Sequence, residues 1–142
     1  MIFLPEGKYH QLIKETIYEI AKDCGKHKRV FKEKKIPLPH TNKTIPPIMY
    51  LPEIHIKTKH RGIIIFEILD SQSNDPNLII ADIIQAYLVD NVKKVFFITK
   101  NRDEYDLTKR LASIIGIRLE ENGYHKQELP LVTVYEISKK DL

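Results

Sequence analysis

Glu67 follows the apolar run Gly62-Ile63-Ile64-Ile65-Phe66, a place where a carboxylate is out of keeping with its neighbours. A charge there needs a partner, a metal ion or water. Upstream, Pro52-Glu53-Ile54 opens another extended stretch, and thirteen residues separate Glu53 from Glu67. With a turn at His60 and Arg61, residues 53 to 60 and 60 to 67 form equal arms of a hairpin. The two carboxylates then meet at one end of the same sheet face. Hard divalent cations take such oxygen ligands, and Mg²⁺ typically uses one or two carboxylates, with phosphate and water completing its shell. Glu53 and Glu67 are therefore candidate metal ligands.

Other chemistries are poorly supplied. The five glycines (Gly7, Gly25, Gly62, Gly116, Gly123) are isolated, which argues against a nucleotide-cradling loop. The six histidines lack zinc-ligand spacing, and a single cysteine excludes an intrachain disulfide. Cys24 lies in a helical pattern and is expected to be a buried structural thiol. One cysteine also fits a reducing, cytoplasmic compartment.

The net charge is +4, but its distribution says more. Lys26, Lys28, Arg29, Lys32, Lys34 and Lys35 fall within ten residues, opposed only by Glu33, which leaves the rest of the chain slightly acidic. Such a strip can neutralise several phosphates together and gain from counterion release, or it can be a solvated strand or loop. These six residues are the candidate nucleic-acid contacts.

The elements that must position these groups can be read from periodicity. Leu12, Ile13, Ile17, Ile20, Ala21 and Cys24 recur at helical spacing over Lys8 to Cys24, with Gly25 as the stop. Ile48–Leu51, Glu53–Thr58 and Gly62–Leu69 are extended, the last covered on both faces as its unbroken β-branched run requires. Asp75-Pro76 is an N-cap signal for a helix running to Val89. Val95–Thr99 should be a strand, Asp103–Ile115 a helix stopped by Gly116, Ile117–Leu119 a short strand and Leu131–Ile137 a final edge strand. Five of the eight prolines lie between Pro37 and Pro52 and predict a long surface loop. The 142 residues make one domain, 1–142, of α/β class, a mixed central sheet with helices on both faces. No apolar run approaches the roughly 18–20 residues of a membrane span, and Met1–Leu4 leads into Pro5-Glu6-Gly7 without a signal-peptide pattern, so no membrane is expected.

The order of these features resembles the PD-(D/E)XK, or restriction-endonuclease-like, nuclease superfamily. A helix comes first, then Pro52-Glu53 opening one strand, Glu67 late in the next, a following helix, Lys93-Lys94-Val95-Phe96-Phe97-Ile98-Thr99 and Gly116-Ile117-Arg118-Leu119. The resemblance covers roughly Lys8 to Leu119. It implies a restriction-endonuclease-like core and hydrolysis of DNA, in preference to RNA, with Mg²⁺ or Mn²⁺. Glu53 would match the first motif acid and Glu67 the second, but Leu69 stands where the motif has lysine. Leucine can neither orient water nor offset charge on phosphate. Lys57, or Lys59, shares strand parity with Glu53 and could supply the missing cation. Glu15 or Glu19 resembles an additional helical metal ligand, and Gln85 an auxiliary glutamine, although Tyr87 follows it by two residues and not four.

Two functions of different class follow. One is a divalent-metal endo- or exodeoxyribonuclease in which Glu53, Glu67 and Glu19 hold the metal and Lys57 assists. The other is a nuclease-fold protein that binds nucleic acid or a protein without cleaving. An exposed edge strand or the proline-rich loop would also permit a homodimer.

Overall fold

The computed structural model describes residues 6–24, 28–39, 46, 48–69, 75–125 and 129–138. Helix α1, Glu6–Asp23, forms where Tyr9, Ile13 and Ile17 recur every fourth residue and present one apolar stripe. Strand β1 (Lys28–Lys32) follows, then β2 (Ile36–Pro37), β3 (Met49–Tyr50), β4 (Ile54–Thr58) and β5 (Ile63–Ile68). Helix α2 (Pro76–Leu88) leads into β6 (Val92–Thr99), and α3 (Arg102–Glu121) into β7 (Leu131–Glu136).

The main sheet has the order β1-β4-β5-β6-β7, with the first three strands antiparallel and β6 and β7 parallel to β5. Strand parity divides it into two apolar faces. Ile68 and Ile98 pack beneath Tyr9, Ile13 and Ile17 of α1. Ile65, Leu69, Val95 and Phe97 pack on the other face with Ile79, Ile83 and Ala86 of α2 and Ala112 of α3. Ile65, Val95 and Phe97 are wholly excluded from solvent, each burial stabilising the fold by about 1.5–3 kcal/mol. The expected mixed sheet with helices on both faces is present, and β7 lies at its edge.

One turn fixes the hairpin that carries the acids. Thr58 Oγ1 donates to the Gly62 carbonyl at 2.7 Å and accepts from the Arg61 N–H at 2.9 Å, closing β4 onto β5. Gly62 has φ +77°, and a Cβ there would lie 2.6 Å from the Asn91 carbonyl oxygen, so only glycine fits.

Three expectations need correcting. Helix α3 does not stop at Gly116, and Ile117–Leu119 is helix, not strand. The stop lies at Asn122-Gly123, where Gly123 adopts φ +96°. There the Gly123 N–H bonds the Glu120 carbonyl and the Tyr124 N–H the Leu119 carbonyl, a Schellman closure that outweighs one interior glycine. Cys24 is exposed just past the end of α1, not buried. The proline-rich stretch is partly a sheet, since Ile36 pairs with Tyr50 and Pro37 with Met49; residues 40–45 and Pro47 lie outside the described residues.

Candidate functional site

The β4–β5 register pairs Ile54 with Phe66 and His55 with Ile65, which carries Glu53 to the position opposite Glu67, as the equal-armed hairpin requires. The two acids are linked directly: the Glu53 N–H donates to Glu67 Oε1 at 3.0 Å. Glu67 shares its face with Ile65 and Leu69 and is buried, while Glu53 sits in the bend before β4 and is partly exposed.

Groups from four other segments converge there. His10 Nε2 of α1 lies 2.8 Å from Glu53 Oε1, and Lys14 Nζ, one turn on, lies 3.4 Å from Glu53 Oε2. Lys14 is itself buried and also donates to Glu33, the residue just after β1. Tyr50 arrives from β3 with its hydroxyl buried against Glu67, without completing a hydrogen bond of regular geometry. Asp82 of α2 faces the same two glutamates.

The electrostatics separate the acids. Burial opposes ionisation of Glu53, but the His10 hydrogen bond and the Lys14 charge outweigh it and hold its carboxyl below the usual range. Burial pushes Glu67 up to about 8, with the nearby charges of Asp82 and Glu53 adding to the shift. Asp82 is raised to about 6, by burial first and then by Glu53. Tyr50 is raised by burial and by the Glu67 charge. Burial also works against the Lys14 ammonium, yet the Glu33 hydrogen bond and the Glu53 charge keep its pKa above the ordinary value. Of three carboxyl groups that influence one another, Glu67 and Asp82 thus retain protons into or near the neutral range, while Glu53 stays charged beside the buried Lys14 ammonium.

The other sequence candidates fall elsewhere. Lys57 pairs with Ile63, four residues from Glu67 along β5 and about 13 Å away at strand spacing, and its ammonium lies 5.8 Å from the Phe31 ring centroid. Glu19 is exposed on α1, nine residues beyond His10 or roughly 13 Å along the helix. Gln85 is exposed on α2. Glu15 accepts from Lys32 at 2.6 Å. In the basic strip, Lys26 and the Lys28 side chain lie outside the described residues, while Arg29, Lys32, Lys34 and Lys35 are exposed.

Sequence reasoning missed His10, Lys14, Glu33, Tyr50 and Asp82. Asp82 carried a legible signal, because it is the sole charged residue of α2 and interrupts Ile79-Ile80-Ala81 and Ile83-Ile84 much as Glu67 follows its own apolar run. Among the described residues, no three His, Cys, Asp or Glu side chains form a ready-made metal-binding group. Glu53 and Glu67 would offer the one or two carboxylates that a magnesium-like ion takes, while burial, ahead of neighbouring charge, is what raises Glu67 and Asp82. No helix among the described residues is long and apolar enough to cross a membrane. Compared with known protein families, with curated proteins and with solved structures, the chain finds no match.

Proposed function

We propose that this chain is a metal-dependent phosphodiesterase acting on DNA, with a restriction-endonuclease-like core. The observation that carries the reading is the meeting of Glu53 and Glu67 at one end of the β4–β5 hairpin, joined at 3.0 Å, with a buried lysine beside them. The chain order of helix, three antiparallel strands, helix and parallel strand supports the same resemblance. Glu53 and Glu67 would hold the cation, with Asp82 within their electrostatic reach. Bound there, a divalent ion supplies Lewis-acid stabilisation at the phosphate and a more acidic water. Lys14 offsets negative charge where Leu69 cannot, and reaches the site from α1 instead of the acid strand. Asp82, half-buried and titrating near pH 6, is suited to accept a proton from attacking water. Tyr50 closes the inner wall and holds its hydroxyl against Glu67.

A second reading has its own support. His10 and Lys14 engage both oxygens of Glu53, and the position of the motif lysine is a buried leucine. Both features suit a nuclease-fold protein that binds nucleic acid and leaves it intact. Incubation with single- and double-stranded DNA in Mg²⁺ or Mn²⁺, beside Glu67→Ala, separates the two. Cleavage that disappears in the variant supports the enzyme. Cleavage that persists in it is contamination and sinks that reading, while tight, salt-sensitive binding without cleavage selects the second.

A further inference from the structure

The basic strip is split between two faces of the sheet. Antiparallel partners project to the same side, so Arg29 and Lys57 share a face with Phe31 and His55. Val30 and Lys32 point to the opposite face, where Lys32 is bound to Glu15 and lies 4.9 Å from the Tyr18 ring centroid. Strict alternation would send Lys34 after Lys32. Glu33 prevents this, because its φ of +53° turns the chain out of strand geometry. Lys34 instead comes back over Phe31, with Nζ 4.2 Å from the ring centroid. The Glu33 N–H bonds the Glu53 carbonyl at 3.0 Å and its side chain accepts from Lys14, so this turn is anchored to the carboxylate site.

Arg29, Lys34 and Lys57 are all exposed, and among the described residues none of them forms an ion pair. Lys34 and Lys57 lie over the Phe31 ring and Arg29 shares their face, and without an acid among them three like charges gain nothing from one another. The Phe31 ring is already stacked on His55 at 4.8 Å and capped by Lys34, which leaves no room for a nucleobase on it. His55 is buried with Nδ1 unpartnered, and burial followed by the charges of Lys57 and Lys34 lowers its pKa to about 4, so it serves as an uncharged platform for Phe31.

We propose that Arg29, Lys34 and Lys57 form a sequence-independent contact for the phosphate backbone of a nucleic-acid strand that runs along β4 and β5 toward Glu67. The proposal rests on the nucleic-acid reading above and assigns the substrate-holding face. It moves Lys57 from the chemistry to the grip, and takes Lys32 out of the contact.

The test is fluorescence anisotropy with a labelled single-stranded oligonucleotide and its duplex, in EDTA so that cleavage plays no part, over a salt series. In R29A/K34A/K57A the slope of log affinity against log salt should fall by about 2 for the single strand and about 2.7 for the duplex. K34Q/K57Q should lose about two-thirds of that, and K32A nothing. Matching thermal melts establish that the variants fold. Unchanged slopes in the triple variant, or an equal loss in K32A, overturn the proposal. So does an equal loss of binding to labelled poly-glutamate, which would mean general anion attraction. Wild-type binding with an unchanged slope sinks this contact and leaves the nuclease reading intact. A reduced slope alongside absent cleavage in Mg²⁺ does the reverse.

Discussion

The backbone N–H of Glu53 donates to the side-chain Oε1 of Glu67 at 3.0 Å. The bond runs from main chain to carboxylate, so the separation of the two acids is set by the β4–β5 register and not by two free rotamers. A one-residue slip of that register would turn Glu67 to the α1 face. The turn at His60-Arg61-Gly62 therefore determines whether the acids meet at all.

Stability should depend on pH through Glu67. Its folded pKa of about 8 lies above the ordinary 4.5, so the native state binds the proton more tightly than the unfolded chain between these values. The associated stability is fully present below about pH 4.5 and is lost as pH rises through about 8. Glu67→Gln should flatten this decline and be more stable than the wild type at pH 8 by on the order of 2 kcal/mol. Urea denaturation in EDTA from pH 5 to pH 9 measures it; parallel curves for the two proteins would contradict it.

Glu53 acts with the opposite sign. Its depressed pKa contributes stability present above 4.5 and lost as pH falls through the lower folded value. Lys14→Ala removes the buried ammonium that helps hold this carboxylate charged, and should cost about 1–3 kcal/mol, less than a fully buried pair because Glu33 and Glu53 are partly exposed. The same variant should raise the pH at which acid unfolding begins. Lys14→Arg should recover part of both.

Gly116→Ala should stabilise the protein by about 0.5–1 kcal/mol. The position is interior to α3, and the nearest atom to an added Cβ is the Tyr87 hydroxyl at 4.0 Å. A helix that ended at Gly116 would respond in the other direction, so a thermal melt of this variant decides between the two.

Gly62→Ala should cost about 2–3 kcal/mol, since it combines a left-handed φ with a 2.6 Å approach to the Asn91 carbonyl oxygen. Because the turn sets the register, the variant should also lose the salt-sensitive DNA binding assigned to the neighbouring strands. Chemical denaturation and anisotropy measured on one preparation test both effects.

The pairing of Glu53 with Glu67 was legible because period-2 alternation and a symmetric turn leave little freedom in a hairpin. The Asp75-Pro76 cap and the helical spacing of Ile13 and Ile17 were legible for similar local reasons, whereas Leu12 and Ile20 of the expected α1 stripe are exposed and Tyr9 takes part in their stead. Lys14 was not, because it lies beside Ile13 at the margin of the apolar stripe, and only docking on the sheet shows that it turns toward Glu53. Asp82 stood out as the lone charge of α2, but its approach to Glu67 depends on how that helix packs, and Tyr50 reaches the site through the β2–β3 sheet, which no local pattern encodes. The end of α3 was misplaced because glycine signals both a stop and a tolerated interior position, and the choice was made by the Gly123 closure seven residues on.

We propose that Glu53 and Glu67 hold a divalent cation, with Asp82 nearby, and that the ion displaces the proton that burial keeps on Glu67. Calorimetric titration of the protein with Mn²⁺ at pH 7, repeated in two buffers of different ionisation enthalpy, tests it most directly. Release of about one proton per ion bound, abolished together with tight binding in Glu67→Ala, is the expected result. Absence of Mn²⁺ binding, or binding with unchanged proton release in that variant, would contradict it.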